Sequence, residues 1–95
     1  MVDFNNTLND YHFSLDHSDF ETLQSVFSRF HEKTGLYIDE YGDIKLIPQN
    51  LELIVKLALD YTMTADKQST ETIMEFVKNL RPMMIDGNTI IVSGD

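Results

Sequence analysis

Cysteine is absent from the 95 residues of the chain. That absence excludes a disulfide framework, a thiolate nucleophile, cysteine-ligated zinc and iron–sulfur chemistry. Glycine and proline are scarce, at four and two. The glycines stand singly at 35, 42, 87 and 94, so no glycine-rich loop is available to cradle a phosphate. Lysine and arginine are missing from the first 28 residues, which argues against the basic start of a signal or transit peptide. No apolar run approaches the roughly 18 residues of a membrane span. A cytoplasmic protein without a membrane partner is the expectation.

What is plentiful is negative charge. Sixteen acids against seven bases give a formal net charge of −9. Residues 1–43 hold nine acids and two bases, net −7, whereas residues 44–95 hold seven and five, net −2. Binding a nucleic-acid backbone needs clustered Lys and Arg, so a direct nucleic-acid partner is not expected. With 42% hydrophobic and 24% charged residues, the composition is that of a globular protein, and the length suits one domain spanning 1–95. Residues 1–9 are expected to form a flexible N-terminal segment.

Periodicity predicts the elements. Tyr11, Phe13 and Leu15 alternate with His12, Ser14 and Asp16, the pattern of a half-buried strand. A helix follows, with Ser18 and Glu21 as a capping box, Phe20, Leu23, Val26, Phe27 and Phe30 on one face, and Gly35 as its stop. Leu36–Ile47 reads as a hairpin. A three-residue loop, Glu40–Tyr41–Gly42, sets Ile38 opposite Ile44 and Leu36 opposite Leu46 with Gly42 left-handed. A two-residue turn would instead set Ile38 against Lys45. The second helix runs from Pro48 to about Tyr61, and eight of the eleven residues 51–61 are apolar. Such a helix must be covered on two sides, as the centre of the domain or against another subunit. A third helix spans about Ser69 to Leu80, with Ile73, Phe76, Val77 and Leu80 inward and Pro82 as its terminator. A Gly87–Asn88 turn would pair Ile85 with Ile90, Met84 with Ile91 and Met83 with Val92. The expected fold is α+β, in the order β-α-β-β-α-α-β-β, with a mainly antiparallel sheet packed by three helices.

Candidate chemistry is sparse. His12, Ser14 and Asp16 are the residue types of a hydrolase triad, but i and i+2 positions on a strand stand about 6.5–7 Å apart, too far for a nucleophile and its base. His12, His17, Asp16 and Asp19 lack the helical spacing of zinc motifs. Asp39, Glu40 and Asp43 flank Gly42 without the ligand spacing of a calcium loop. The methionines at 63, 74, 83 and 84 read as core filler. No catalytic, metal or cofactor residue is therefore assigned.

The acids read better as a surface. Asp16, Asp19, Glu21, Asp39, Glu40 and Asp43, with the tyrosines Tyr37 and Tyr41, are candidates for binding a basic protein partner. The functional expectation is a small acidic protein-binding module of the inhibitor or toxin-neutralising (immunity-type) kind. The alternative is a structural or regulatory homo-oligomer, such as a homodimer, suggested by the apolar excess of the second helix and second hairpin. A small hydrolytic or metal-dependent enzyme ranks last.

Overall fold

A computed structural model of the chain describes residues 1–8, 10–85, 87 and 89–94. Seven elements follow one another: β1 (Val2–Asn6), β2 (His12–Leu15), α1 (His17–Thr34), β3 (Asp43–Leu46), α2 (Pro48–Thr62), α3 (Lys67–Ile85) and β4 (Ile90–Gly94). This is the expected α+β domain, three helices on a four-stranded antiparallel sheet. The strands that fill it differ in part from those expected.

The sheet order is β2-β1-β4-β3, antiparallel throughout. The first and last strands thus pair at its centre, Val2 opposite Gly94 and Phe4 opposite Val92. Where a flexible lead-in was expected, Val2–Asn6 form β1, with Val2, Phe4 and Asn6 buried. Strand alternation over so short a run carries only two apolar side chains, and of its two partners only β2 is near in sequence, β4 lying more than 80 residues away. In β2 the expected faces hold, with Leu15 buried and His12 and Ser14 exposed. Register places Asp3, Asn5, His12, Ser14, Asp43, Lys45, Ile91 and Ser93 on the outer face, and the helices cover the other.

The helices occupy their expected places with different ends. In α1 the cap is Asp16, whose Oδ1 accepts from the Asp19 N–H at 2.8 Å. The Ser18–Glu21 capping box is therefore displaced by a carboxylate two residues earlier. Gly35 closes the helix at φ 76°, its N–H donating to the His31 carbonyl. All five expected apolar residues of α1 are buried. In α2, Asn50 Oδ1 accepts from the Ile47 N–H while the Asn50 N–H donates to the Ile47 carbonyl, and Pro48 fills the first turn. The apolar excess of α2 is accounted for within the chain, because the helix packs against both α1 and α3.

Helix α3 is longer than expected at both ends. Asp66 Oδ1 accepts from the Ser69 N–H at 2.7 Å, moving the start forward. Pro82 does not end the helix. A proline in a helix interior costs about 3 kcal/mol, but the stripe Ile73, Phe76, Val77, Leu80 continues at helical spacing into Met83, which is fully buried. Burying a methionine side chain contributes roughly 1.5–3 kcal/mol, which offsets much of that cost. Met83, Met84 and Ile85 are thus helical, and the expected second hairpin gives way to β4 alone, paired with β1 and β3. Its turn residue Asn88 lies outside the described residues.

The first expected hairpin is also corrected. Leu36–Asp39 forms no ladder, and β3 pairs only with β4 among the described residues. Ile38 is nonetheless buried, so its apolar alternation reflects packing rather than strand pairing. Gly42 is not left-handed.

Phenylalanines join the layers. The Phe76 ring of α3 meets Phe4, Phe13 and Phe27 at centroid distances of 5.6, 6.0 and 5.8 Å, all edge-on, and Phe4 stacks on Phe13 at 4.9 Å. Such pairs add to simple area burial. Phe76→Ala is therefore expected to cost about 3–5 kcal/mol in urea denaturation, whereas Met63→Ala, at an 84% exposed position, should stay within about 0.5 kcal/mol of the parent.

Candidate functional site

The register of the sheet decides where the acids meet. Leu15 lies opposite Val2, and Val2 opposite Gly94. The end of β2, the start of β1, the end of β4 and the start of β3 therefore share one end of the sheet. Helix α1 begins there, because it follows β2 directly. The 39–42 turn arrives at the same end, because β3 starts with Asp43.

That turn is held in three ways. The Gly94 N–H donates to the Gly42 carbonyl at 2.8 Å. Asp39 Oδ1 accepts from the Tyr41 N–H at 3.2 Å. At Gly94 the turn's backbone crosses so closely that a Cβ there would lie 2.2 Å from the Glu40 carbonyl oxygen and 2.7 Å from the Tyr41 nitrogen. Close approach rather than backbone freedom is what requires glycine at this position.

His17 joins the turn to the helix. Its Nδ1 lies 2.6 Å from Glu40 Oε2 and its Nε2 lies 3.0 Å from Glu21 Oε1. These two carboxylates raise the imidazole pKa above its usual value, Glu40 first through its hydrogen bond and charge and Glu21 by its charge. Glu40 is largely buried in this arrangement, while Glu21 and His17 remain exposed. The ion pairs among the described residues are both made by His17.

Beside this lies a recess of about 260 Å³ between the β2–α1 junction and α3. Leu15 and Phe76 form its apolar floor, and Asp19, Glu71 and Glu75 supply carboxylates. Burial, followed by the charge of Asp16, raises the Asp19 carboxyl above the usual range. Ser14, on the rim, gives its hydroxyl to Asp3 Oδ1 at 2.5 Å.

The structure thus brings Asp16, Glu21 and Glu40 together, with Asp39 and Tyr41 in the turn that carries Glu40. Asp19 turns into the neighbouring recess and is linked to Asp16 through its own backbone. Asp43 sits at the start of β3 on the outer sheet face, opposite Ser93. Tyr37 is not part of the group. It packs edge-on against His31, with ring centroids 5.4 Å apart, near the other end of α1. Tyr41 is the more exposed tyrosine at 72%.

Four positions of this candidate site were missed by sequence reasoning: His17, Glu71, Glu75 and Gly94. The i,i+4 spacing of His17 and Glu21 was visible, but the approach of Glu40 was not. Glu71 and Glu75 read simply as the outside of a helix. Gly94 had no turn signal, because its role depends on another segment.

The remaining candidates separate. His12 Nδ1 lies 3.3 Å from the Asp10 carbonyl, and Asp16 caps α1, so the triad residue types serve three unconnected local roles. Among the described residues no group of three or more His, Asp or Glu side chains is placed to hold a metal ion. No family model matches the chain, and neither the curated proteins nor the solved structures contain a match.

Because the Glu40–Tyr41 backbone cannot yield as a flexible side chain would, Gly94→Ala is expected to destabilise by about 1–3 kcal/mol in urea denaturation. It should also shift the amide resonances of Tyr41 and Gly42. Ser93→Ala, on the outer face, should do neither.

Proposed function

We propose that the chain is a small protein-binding module that engages a basic partner through the acidic end of its sheet. The observation that carries this reading is the convergence of Asp16, Glu21 and Glu40 with the Tyr41 turn, beside a recess lined by Asp19, Glu71 and Glu75. Clustered carboxylates steer and orient a Lys/Arg-bearing surface. An exposed tyrosine beside them adds apolar contact area of the kind found at binding hot spots. The recess suits a single cationic side chain, with an apolar floor for its methylenes and acids at the rim for its head.

Concavity and a raised carboxyl are features an acid–base site would share. The reading rests instead on the clustering of like charge, since the recess lining holds Ser14 and Thr72 hydroxyls but no histidine. The homo-oligomer reading is less favoured, since α2 packs against α1 and α3 and Met83 lies in the core, leaving Ile85 as the exposed apolar residue of that segment. An inhibitor or toxin-neutralising role is the form of this function that small size and clustered charge support best.

The test is affinity capture at low salt followed by a salt gradient. A partner of basic pI is expected, with affinity falling at least about tenfold between about 50 and 300 mM salt. Glu21→Lys combined with Asp43→Lys should abolish capture. Glu32→Lys with Glu52→Lys, the same charge change in the last turn of α1 and near the start of α2, should largely preserve it. An acidic partner, salt-insensitive retention, or equal loss in both double variants would contradict the reading.

A further inference from the structure

Both nitrogens of the His17 ring face carboxylate oxygens, Nδ1 toward Glu40 at 2.6 Å and Nε2 toward Glu21 at 3.0 Å. An ionised carboxylate only accepts hydrogen bonds, and a neutral imidazole carries one N–H. The observed geometry is therefore that of the imidazolium, which donates from both nitrogens. Loss of one proton would set a ring lone pair against a carboxylate, and one of the two contacts must then open. The contact to Glu40 spans two segments, the start of α1 and the 39–42 turn, whereas that to Glu21 is internal to α1. Glu40 and Glu21 are the charged groups that act on the ring, and Asp16, the α1 cap, is its neighbour in sequence.

We infer that His17 is a proton-operated latch that holds the 39–42 turn against the start of α1 at low pH and slackens when the ring loses its proton, because the Glu40 contact then either opens or loses the imidazolium charge that strengthens it. Loss of the proton removes one positive charge from the acidic end and loosens the segment that presents Glu40 and Tyr41. The device goes beyond the proposed binding role and does not depend on it, since it acts in the isolated chain. Its direction follows from the raised imidazole pKa. The stabilisation is fully present below about 6.5, the value of a free histidine, and is lost as pH rises through the higher folded-state value. The pH range near neutrality, where histidine ordinarily switches, is where the turn changes state.

The Gly94 amide is a built-in reporter, because it donates to the Gly42 carbonyl of the turn. NMR titration of the His17 ring is to be followed alongside Gly94 amide exchange, corrected for intrinsic pH dependence. Protection at Gly94 should fall several-fold, with the midpoint of the ring titration, above 6.5. In His17→Gln the step should vanish and protection should match the deprotonated parent throughout. In Glu40→Gln the ring midpoint should drop toward 6.5. Gly94 protection that ignores the ring titration, a step that persists in His17→Gln, or a midpoint unmoved by Glu40→Gln would each overturn the latch.

Discussion

The pairing of β1 with β4 is the contact on which the rest of the molecule depends. These central strands each support an edge strand, β2 on one side and β3 on the other. Together they present Val2, Phe4, Ile90 and Val92, all fully buried, to the helices. The contact is also non-local, joining residues 2–6 to residues 90–94. Its closure entropy must be met before the sheet rewards it. The helices can begin to form from local signals, but the platform they pack on exists only when the first and last strands have met.

The same pairing makes the acidic end. Had β1 and β4 slipped by two residues, the start of α1 and the 39–42 turn would no longer arrive level, and His17 could not bridge Glu21 and Glu40. The carboxylates gathered there repel one another, and no Lys or Arg among the described residues pairs with them. The imidazolium between two of them and the backbone hydrogen bonds of Asp16 and Asp39 offset part of that repulsion. Concentrating like charge in one place costs stability and raises the field outside it. That trade is what a surface awaiting a cationic partner would make, and it motivates the proposed function.

How much of this was legible in the sequence depended on distance along the chain. The apolar faces of α1, α2 and α3 were readable because helix contacts recur every three or four residues, and every buried phenylalanine of α1 was foreseen. The caps were less legible. Asp16 and Ser18 both satisfy the chemistry of a first turn, and only the path out of β2 selects Asp16. At Pro82 a local rule lost to the burial of Met83, although the stripe from Ile73 could have been followed through the proline. Strand β1 offered Val2 and Phe4 among polar neighbours and gave no local hint of β4. Leu36–Asp39 alternated like a strand because Ile38 is buried, yet it returns along α1 without pairing. The acidic candidates were chosen by charge alone. Asp16, Glu21 and Glu40 proved to share one end, while Tyr37 fell beside His31, since their grouping is a product of strand register.

The most direct measurement of the account is cross-linking in the cysteine-free chain. Asp3 and Ser93 lie directly opposite on the outer face of β1 and β4, within the Cα separation of roughly 4.4–6.8 Å that a disulfide spans. Asp3→Cys with Ser93→Cys should therefore oxidise to an intramolecular disulfide in the folded protein. Asn5 lies opposite Ile91 instead, so Asn5→Cys with Ser93→Cys should link far more slowly. Failure of the first pair to link, or equal linking by the second, would contradict the register that assembles the sheet and its acidic end.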